Sequence, residues 1–201
     1  DHPHLRRVHM VGRKNGYTYI AMEYIDGRSL REIFRAAEKI PYPIVHRVIL
    51  SLTQALRYAA EKGVRHGDLR PSNVIFDTNR ATLLNVGIPI DPKEFFRAFR
   101  TDQEIPPYYI APEIALNSSR VDERADIFSL GCLFYHLLSG RAPFRGRSSV
   151  DIIQKMGRFG APSIRRVAPQ VPSETCDLVD TMLAVDSGDR PASFDALIEA
   201  L

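Results

Sequence analysis

The stretch from Ile127 to Leu138 is apolar on nearly every side of a helix, broken only by Ser129, Gly131 and His136. A helix without a polar face has to be buried. Its twelve residues are too few for a bilayer, which needs about 20. Neighbouring elements of a folded domain must therefore cover it, and Asp126 to Leu138 is expected to be a central helix. The 201 residues are 44% hydrophobic and 25% charged, enough for one packed domain or one large lobe of a bigger one. Disorder, which needs low hydrophobicity and high net charge, does not fit.

The rest of the chain reads as mainly α with some β. Leu5 to Val11 and Tyr17 to Tyr24 are extended apolar runs, and Asn15-Gly16 supplies two residues that accept positive φ in a hairpin turn. A lone pair of strands is marginally stable, so the hairpin is expected to belong to a larger sheet with its other strands upstream of residue 1. Ser29-Leu30-Arg31-Glu32 has the form of a capping box. A helix is expected from Pro43, with Ile44, Val48, Leu52 and Leu56 at spacing four and Gly63 as its stop. Asn73 to Phe76 and Ala81 to Leu84 are short apolar stretches, joined by a turn at Asp77-Thr78-Asn79-Arg80. Residues 87 to 112, with Pro89, Pro92, Pro106, Pro107 and Pro112, read as a long functional loop. Three short helices are expected between Leu138 and Leu201.

Charge and cysteine content narrow the function. Lys plus Arg is 27 and Asp plus Glu is 24, a net charge of +3. No basic block reads as a nucleic-acid patch, and no segment reads as a membrane contact. Cys132 and Cys176 are too few for a disulfide framework or a cysteine zinc site, and both read as small apolar helix residues in a reducing, cytoplasmic setting. Asp1-His2-Pro3-His4 has no signal-peptide pattern and is read as an internal start. His2, His4 and His9 have no carboxylate or thiol beside them and are expected to be solvated rather than ligating.

The segment that carries chemistry is His66-Gly67-Asp68-Leu69-Arg70-Pro71-Ser72-Asn73. Asp68 and Asn73, five residues apart in a loop, can converge on one point. A carboxylate that takes a hydroxyl proton, beside an amide oxygen that ligates a hard cation, suits phosphoryl transfer. Read alone, the segment is also compatible with a polar loop built on an Asx turn.

That segment resembles the H-R-D-L-K-P-x-N catalytic loop of eukaryotic-type serine/threonine protein kinases. Ala111-Pro112-Glu113 resembles their A-P-E motif, Asp126-Ile127-Phe128-Ser129-Leu130-Gly131 their D-x-x-S-L-G helix start, and Asp189-Arg190-Pro191 a late D-x-R-P. Ala21-Met22-Glu23-Tyr24-Ile25 resembles the hinge strand, and His2-Pro3-His4-Leu5 an H-P-x-L turn. The resemblance implies a protein-kinase-like large lobe over residues 26–201, with the last two small-lobe strands and the hinge in residues 1–25. The catalytic loop would be 66–73 and the activation segment 85–113. The Gly-rich phosphate loop and the strand Lys with its Glu partner would lie before residue 1.

The same resemblance implies residue roles. Asp68 would be the general base, Asn73 the ligand of a second Mg²⁺ (or Mn²⁺), and Arg70 would stand for the Lys that touches the γ-phosphate of ATP. Ile75 would be the apolar floor under adenine, Met22 the gatekeeper, and the backbone of Glu23 and Ile25 the adenine's hydrogen-bonding partners. Asp126 would accept N–H bonds from the catalytic loop, Glu113 would pair with Arg190, and His66 would pack rather than catalyse.

The pattern also breaks. The family's D-F-G is Asn85-Val86-Gly87, twelve residues after Asn73, so an amide replaces the carboxylate that holds the principal Mg²⁺. Gly67 replaces the Arg that receives an activation-loop phosphate, and Pro106 replaces a Thr near the substrate. Thr101 is the only Ser or Thr between Asn85 and Glu113. Asp91 is a weaker candidate to replace the missing carboxylate. The expectation is an impaired kinase, a pseudokinase that binds nucleotide and a protein substrate or regulatory partner. The competing readings are an active serine/threonine kinase using Asp68 as base, and a scaffold with an empty cleft.

Overall fold

The computed structural model describes residues 1–37, 39–77, 80–87, 107–116 and 121–201. Strands β1 (Val8–Lys14) and β2 (Tyr17–Met22) form an antiparallel hairpin, with Lys14 opposite Tyr17. Asn15 (φ 52) and Gly16 (φ 82) are both left-handed, the two-residue turn whose twist matches the flanking strands. The first strand starts later than its apolar run suggests. Residues 4–6 pair elsewhere: His4 C=O accepts from Leu83 N–H (2.8 Å), Leu83 C=O accepts from Arg6 N–H (3.0 Å), and Leu5 bridges Leu83 in parallel. Val8, Met10, Val11, Tyr17, Tyr19 and Ile20 are exposed, and among the described residues no third strand joins this pair.

A second sheet runs β3 (Arg28–Ser29), β4 (Val74–Phe76), β5 (Ala81–Leu83), all antiparallel. The β4–β5 connection is tied by Asp77, which exchanges backbone and side-chain bonds with Arg80. Thr78 and Asn79 of the expected turn lie outside the described residues. So do Asp91, Thr101, Pro106 and most of the expected 87–112 loop.

Helix α1 (Leu30–Arg35) opens with the capping box the sequence encodes: Ser29 Oγ accepts from Glu32 N–H, and Glu32 accepts from Ser29 N–H. Helix α2 spans Tyr42–Ala60, starting one residue before Pro43, which falls in the first turn where its missing N–H costs no hydrogen bond. Its last turn closes through Gly63 at φ 69, whose N–H reaches Ala60 C=O.

The short helix α3 (Pro112–Ala115) follows, then α4 (Arg124–Ser139). Almost every residue of α4 from Ala125 to Tyr135 is buried, as a helix lacking a polar face requires. Helices α5 (Ser149–Phe159), α6 (Ile164–Val167), α7 (Ser173–Met182) and α8 (Phe194–Ala200) complete the lobe. The expectation of three helices here missed α6, a single turn too short for a periodic pattern that is anchored by the fully buried Ile164. Among the described residues one hydrophobic core joins α1, α2, α4, α7 and α8 to β4 and β5. No described helix is long and apolar enough to cross a membrane.

The histidine expectation needs correction. His9 is exposed, but His2 and His4 are half-buried. His2 stacks on Tyr58 and His4 Nδ1 lies 2.9 Å from Ala81 C=O. They pack the N-terminal turn onto β5 and α2. No group of metal-ligating side chains occurs among the described residues.

Candidate functional site

Asp126 holds the loop that starts at His66. It sits in the first turn of α4, where a negative charge is favoured by the helix dipole. Its buried carboxylate accepts from His66 N–H (2.8 Å) and Gly67 N–H (2.9 Å). His66 is also buried. Its Nε2 lies 3.0 Å from Leu84 C=O and its Nδ1 accepts from Asp68 N–H at 3.2 Å. That pairing places the proton on Nε2, and burial lowers the ring's pKa, which favours the neutral form. Neither ring nitrogen is left to move a proton to a substrate.

The loop then makes a 3₁₀ turn, Pro71–Asn73, into β4. The turn brings Asn73 back toward Asp68: Asn73 Nδ2 donates to Asp68 C=O (2.7 Å) and to Asp68 Oδ2 (2.9 Å). Arg70 Nε lies 2.9 Å from the same Oδ2. Among the described residues, no hydrogen bond reaches Asp68 Oδ1. One carboxylate oxygen is thus hydrogen-bonded by Asn73 and ion-paired with Arg70, and the other is without a partner among the described residues.

Asn85 follows β5 at φ 61, a left-handed conformation that Asn tolerates better than most side chains. Its Nδ2 donates to Asn73 Oδ1 at 3.1 Å, and its Oδ1 accepts from Arg6 Nη2 at 3.0 Å. The Leu5–Leu83 bridge explains the meeting, because it sets residue 6 beside the chain leaving β5. Motif reading did not find Arg6. Its signal was only its place directly after the His2-Pro3-His4-Leu5 turn.

The resulting chain of contacts, Arg6–Asn85–Asn73–Asp68–Arg70, fits a tightly held divalent cation poorly. Mg²⁺ favours charged oxygens in near-octahedral array. Here the donors are two neutral amide oxygens, each already accepting an N–H, and one carboxylate paired with a guanidinium.

The residues expected to form the hinge follow directly on the hairpin. Glu23 N–H donates to Arg7 C=O at 2.9 Å. Met22, Glu23 and Ile25 are half-buried. Gly27 then crosses β4 so closely that a Cβ there would lie 2.8 Å from Ile75 Cγ2 and 3.0 Å from Phe76 C=O. This brings Ile75 beneath the hinge. Away from the cleft, Glu113 and Arg190 form a two-pronged ion pair at 2.7 and 3.0 Å. Val86 packs on the core, so the apolar position after Asn85 is filled despite the missing ring.

Over residues 1–200 the chain matches the family described as the protein kinase domain. It is 32% identical to the serine/threonine-protein kinase PknB of Mycobacterium leprae over 76% of this chain and 25% of that protein. PknJ of Mycobacterium tuberculosis is 32% identical over 81% of this chain and 28% of its own length. PrkC of Bacillus subtilis is 26% identical over 92% of this chain and 29% of its own length. The chain therefore spans less than a third of these relatives.

Proposed function

This chain belongs to the protein kinase family, and from that premise we propose that it is a serine/threonine-kinase-like large lobe that engages nucleotide and a protein partner but transfers the γ-phosphoryl group poorly. The observation that carries this reading is Asn85. Members of the family use ATP and Mg²⁺, and here the position expected to grip the principal ion holds a neutral amide between Arg6 and Asn73. A cation there forgoes the charge–charge attraction of a carboxylate. The loss of about 4 kcal/mol of metal stabilisation slows transfer roughly a thousandfold.

Several other residues that the family's apparatus needs are present in this chain. Asp68 is oriented by Asn73 and Arg70 to accept a hydroxyl proton on Oδ1. Arg70 offers a guanidinium where negative charge gathers, though its fork is not equivalent to a lysine. In this reading Ile75 offers an apolar face to a base, with Met22, Glu23 and Ile25 as the hinge. The reading places the domain in the cytoplasm, with a protein as substrate or regulatory partner.

The test uses the full-length protein and radiolabelled ATP with Mg²⁺ or Mn²⁺. The wild type is expected to transfer near background, and Asn85→Asp to raise transfer by about a thousandfold. Robust wild-type turnover, abolished by Asp68→Asn, would overturn the impaired reading. It would establish the second reading, an active kinase, which the convergence of Asp68, Arg70 and Asn73 favours. A thermal shift with ATP separates both from an empty scaffold, since a ligand that binds the folded state raises apparent stability.

A further inference from the structure

Beside the catalytic loop, on the side of Arg70 and Ser72, lies an open cavity of about 590 Å³. Among the described residues its walls carry four guanidinium groups and no carboxylate: Arg31 and Arg35 from α1, Arg70 from the loop, and Arg145 from the segment after α4. Arg31 and Arg35 are one helical turn apart, so both reach the same space. Only Arg70 has its charge answered at short range, by Asp68 at 2.9 Å. Among the described residues, no ion pair engages Arg31, Arg35 or Arg145. Glu32, the acid nearest in sequence, points back into the capping box with Ser29.

Aromatic rings line the cavity inside this cationic rim. Phe34 stacks on His136 with centroids 3.7 Å apart and planes at 14°. Tyr109 lies parallel to His136 with centroids 6.2 Å apart, its hydroxyl 2.6 Å from Nδ1 at the ring edge. Burial, with the nearby Arg145 charge, pushes the His136 pKa down to about 4, so this ring is neutral near pH 7. The cavity thus offers a rigid flat interior to an apolar stem and several unpaired forks to an anionic tip. Guanidinium forks match carboxylate and phosphate oxygens two at a time.

We infer that this cavity binds an anionic side chain, carboxylate or phosphate, of a peptide segment lying next to the residue presented to Asp68. The inference rests on the protein kinase reading for the direction from which a peptide enters. It does not require phosphoryl transfer. Arg70 forms the shared wall: one face pairs with Asp68, and the other belongs to the cavity.

The test is fluorescence anisotropy on the full-length protein without nucleotide, so its outcome is independent of the transfer assay. Three labelled serine peptides are compared: one flanked by Asp and Glu, one by phosphoserine, and one by Gln and Ala. Both anionic peptides are expected to bind at least about tenfold more tightly than the neutral one, with affinity falling as salt rises. Preference between them assigns the group as carboxylate or phosphate.

The double variant Arg31→Glu, Arg145→Glu is expected to lose at least about tenfold for the anionic peptides and nothing for the neutral one. Should it melt early, Arg31→Gln with Arg145→Gln gives the same comparison with less repulsion. Equal affinity for all three peptides overturns the inference. So does wild-type affinity in a variant of unchanged melting temperature, or displacement of the peptide by anionic lipid vesicles as effectively as by unlabelled peptide.

Discussion

Arg190 and Arg6 each reach a residue far away in sequence, and their surroundings are opposite. The Arg190 side chain is fully buried. Its five N–H donors are all used: Nε on Ala184 C=O, Nη1 on Glu113 and Arg124 C=O, Nη2 on Glu113 and Val185 C=O. Its plane also sits over the Phe128 ring at 4.7 Å. Arg6 is only half-buried, meets a neutral amide instead of a carboxylate, and its Nε has no hydrogen-bond partner among the described residues. The first cluster is saturated and can only hold the lobe together. The second has unsatisfied capacity. The saturated Arg190 cluster therefore reads as scaffold, and the Arg6–Asn85 contact is the one open to a functional role.

Breaking the saturated cluster should have the largest effect. Arg190→Ala would leave the Glu113 carboxylate without its partner and is expected to destabilise the fold by about 3–5 kcal/mol, measured by urea denaturation. A loss below about 1 kcal/mol would mean that the pair is no more than a surface contact.

Acidification comes next. The pKa of His136, about 4, lies below the ordinary 6.5 because of burial and then Arg145. The fold therefore favours the neutral ring. The stability this contributes is complete above pH 6.5 and is lost as pH falls from there toward about 4, on the order of 3 kcal/mol in all. Burial lowers the pKa of His66 as well and adds in the same direction. Melting curves across this range check it, and His136→Gln should flatten them.

Asp126→Asn keeps an acceptor for one of the two loop N–H groups but removes its charge. A loss of about 2 kcal/mol is expected, and because it loosens Gly67 and Asp68 it should weaken binding in the cleft as well. The smallest stability effect belongs to Asn85→Asp. It retains the oxygen that Arg6 contacts and should change unfolding free energy by less than about 1 kcal/mol, even as it changes transfer by orders of magnitude. A large stability change there would place Asn85 with the scaffold instead.

Much of this was legible in the chain. The central helix, the capping box, the Asn15-Gly16 turn and the convergence of Asp68 with Asn73 all rest on local rules: periodicity, caps, positive φ and short loop closure. The helix α6 was missed because one turn has no period. His2 and His4 were misjudged because a side chain's burial depends on what arrives beside it from elsewhere. The same is true of Arg6, whose neighbour is 79 positions away.

What the amino-acid order determined by itself is most of the elements and the substitution of an amide at position 85, because both follow from residue type and near neighbours. The tertiary structure alone decided which groups that amide meets, and that Arg31, Arg35, Arg70 and Arg145 surround a single space. Those facts depend on the pairing of residues 4–6 with β5 and on how α1 lies against α4. Long-range packing of this kind is governed by the core as a whole and leaves no periodic mark in any one segment.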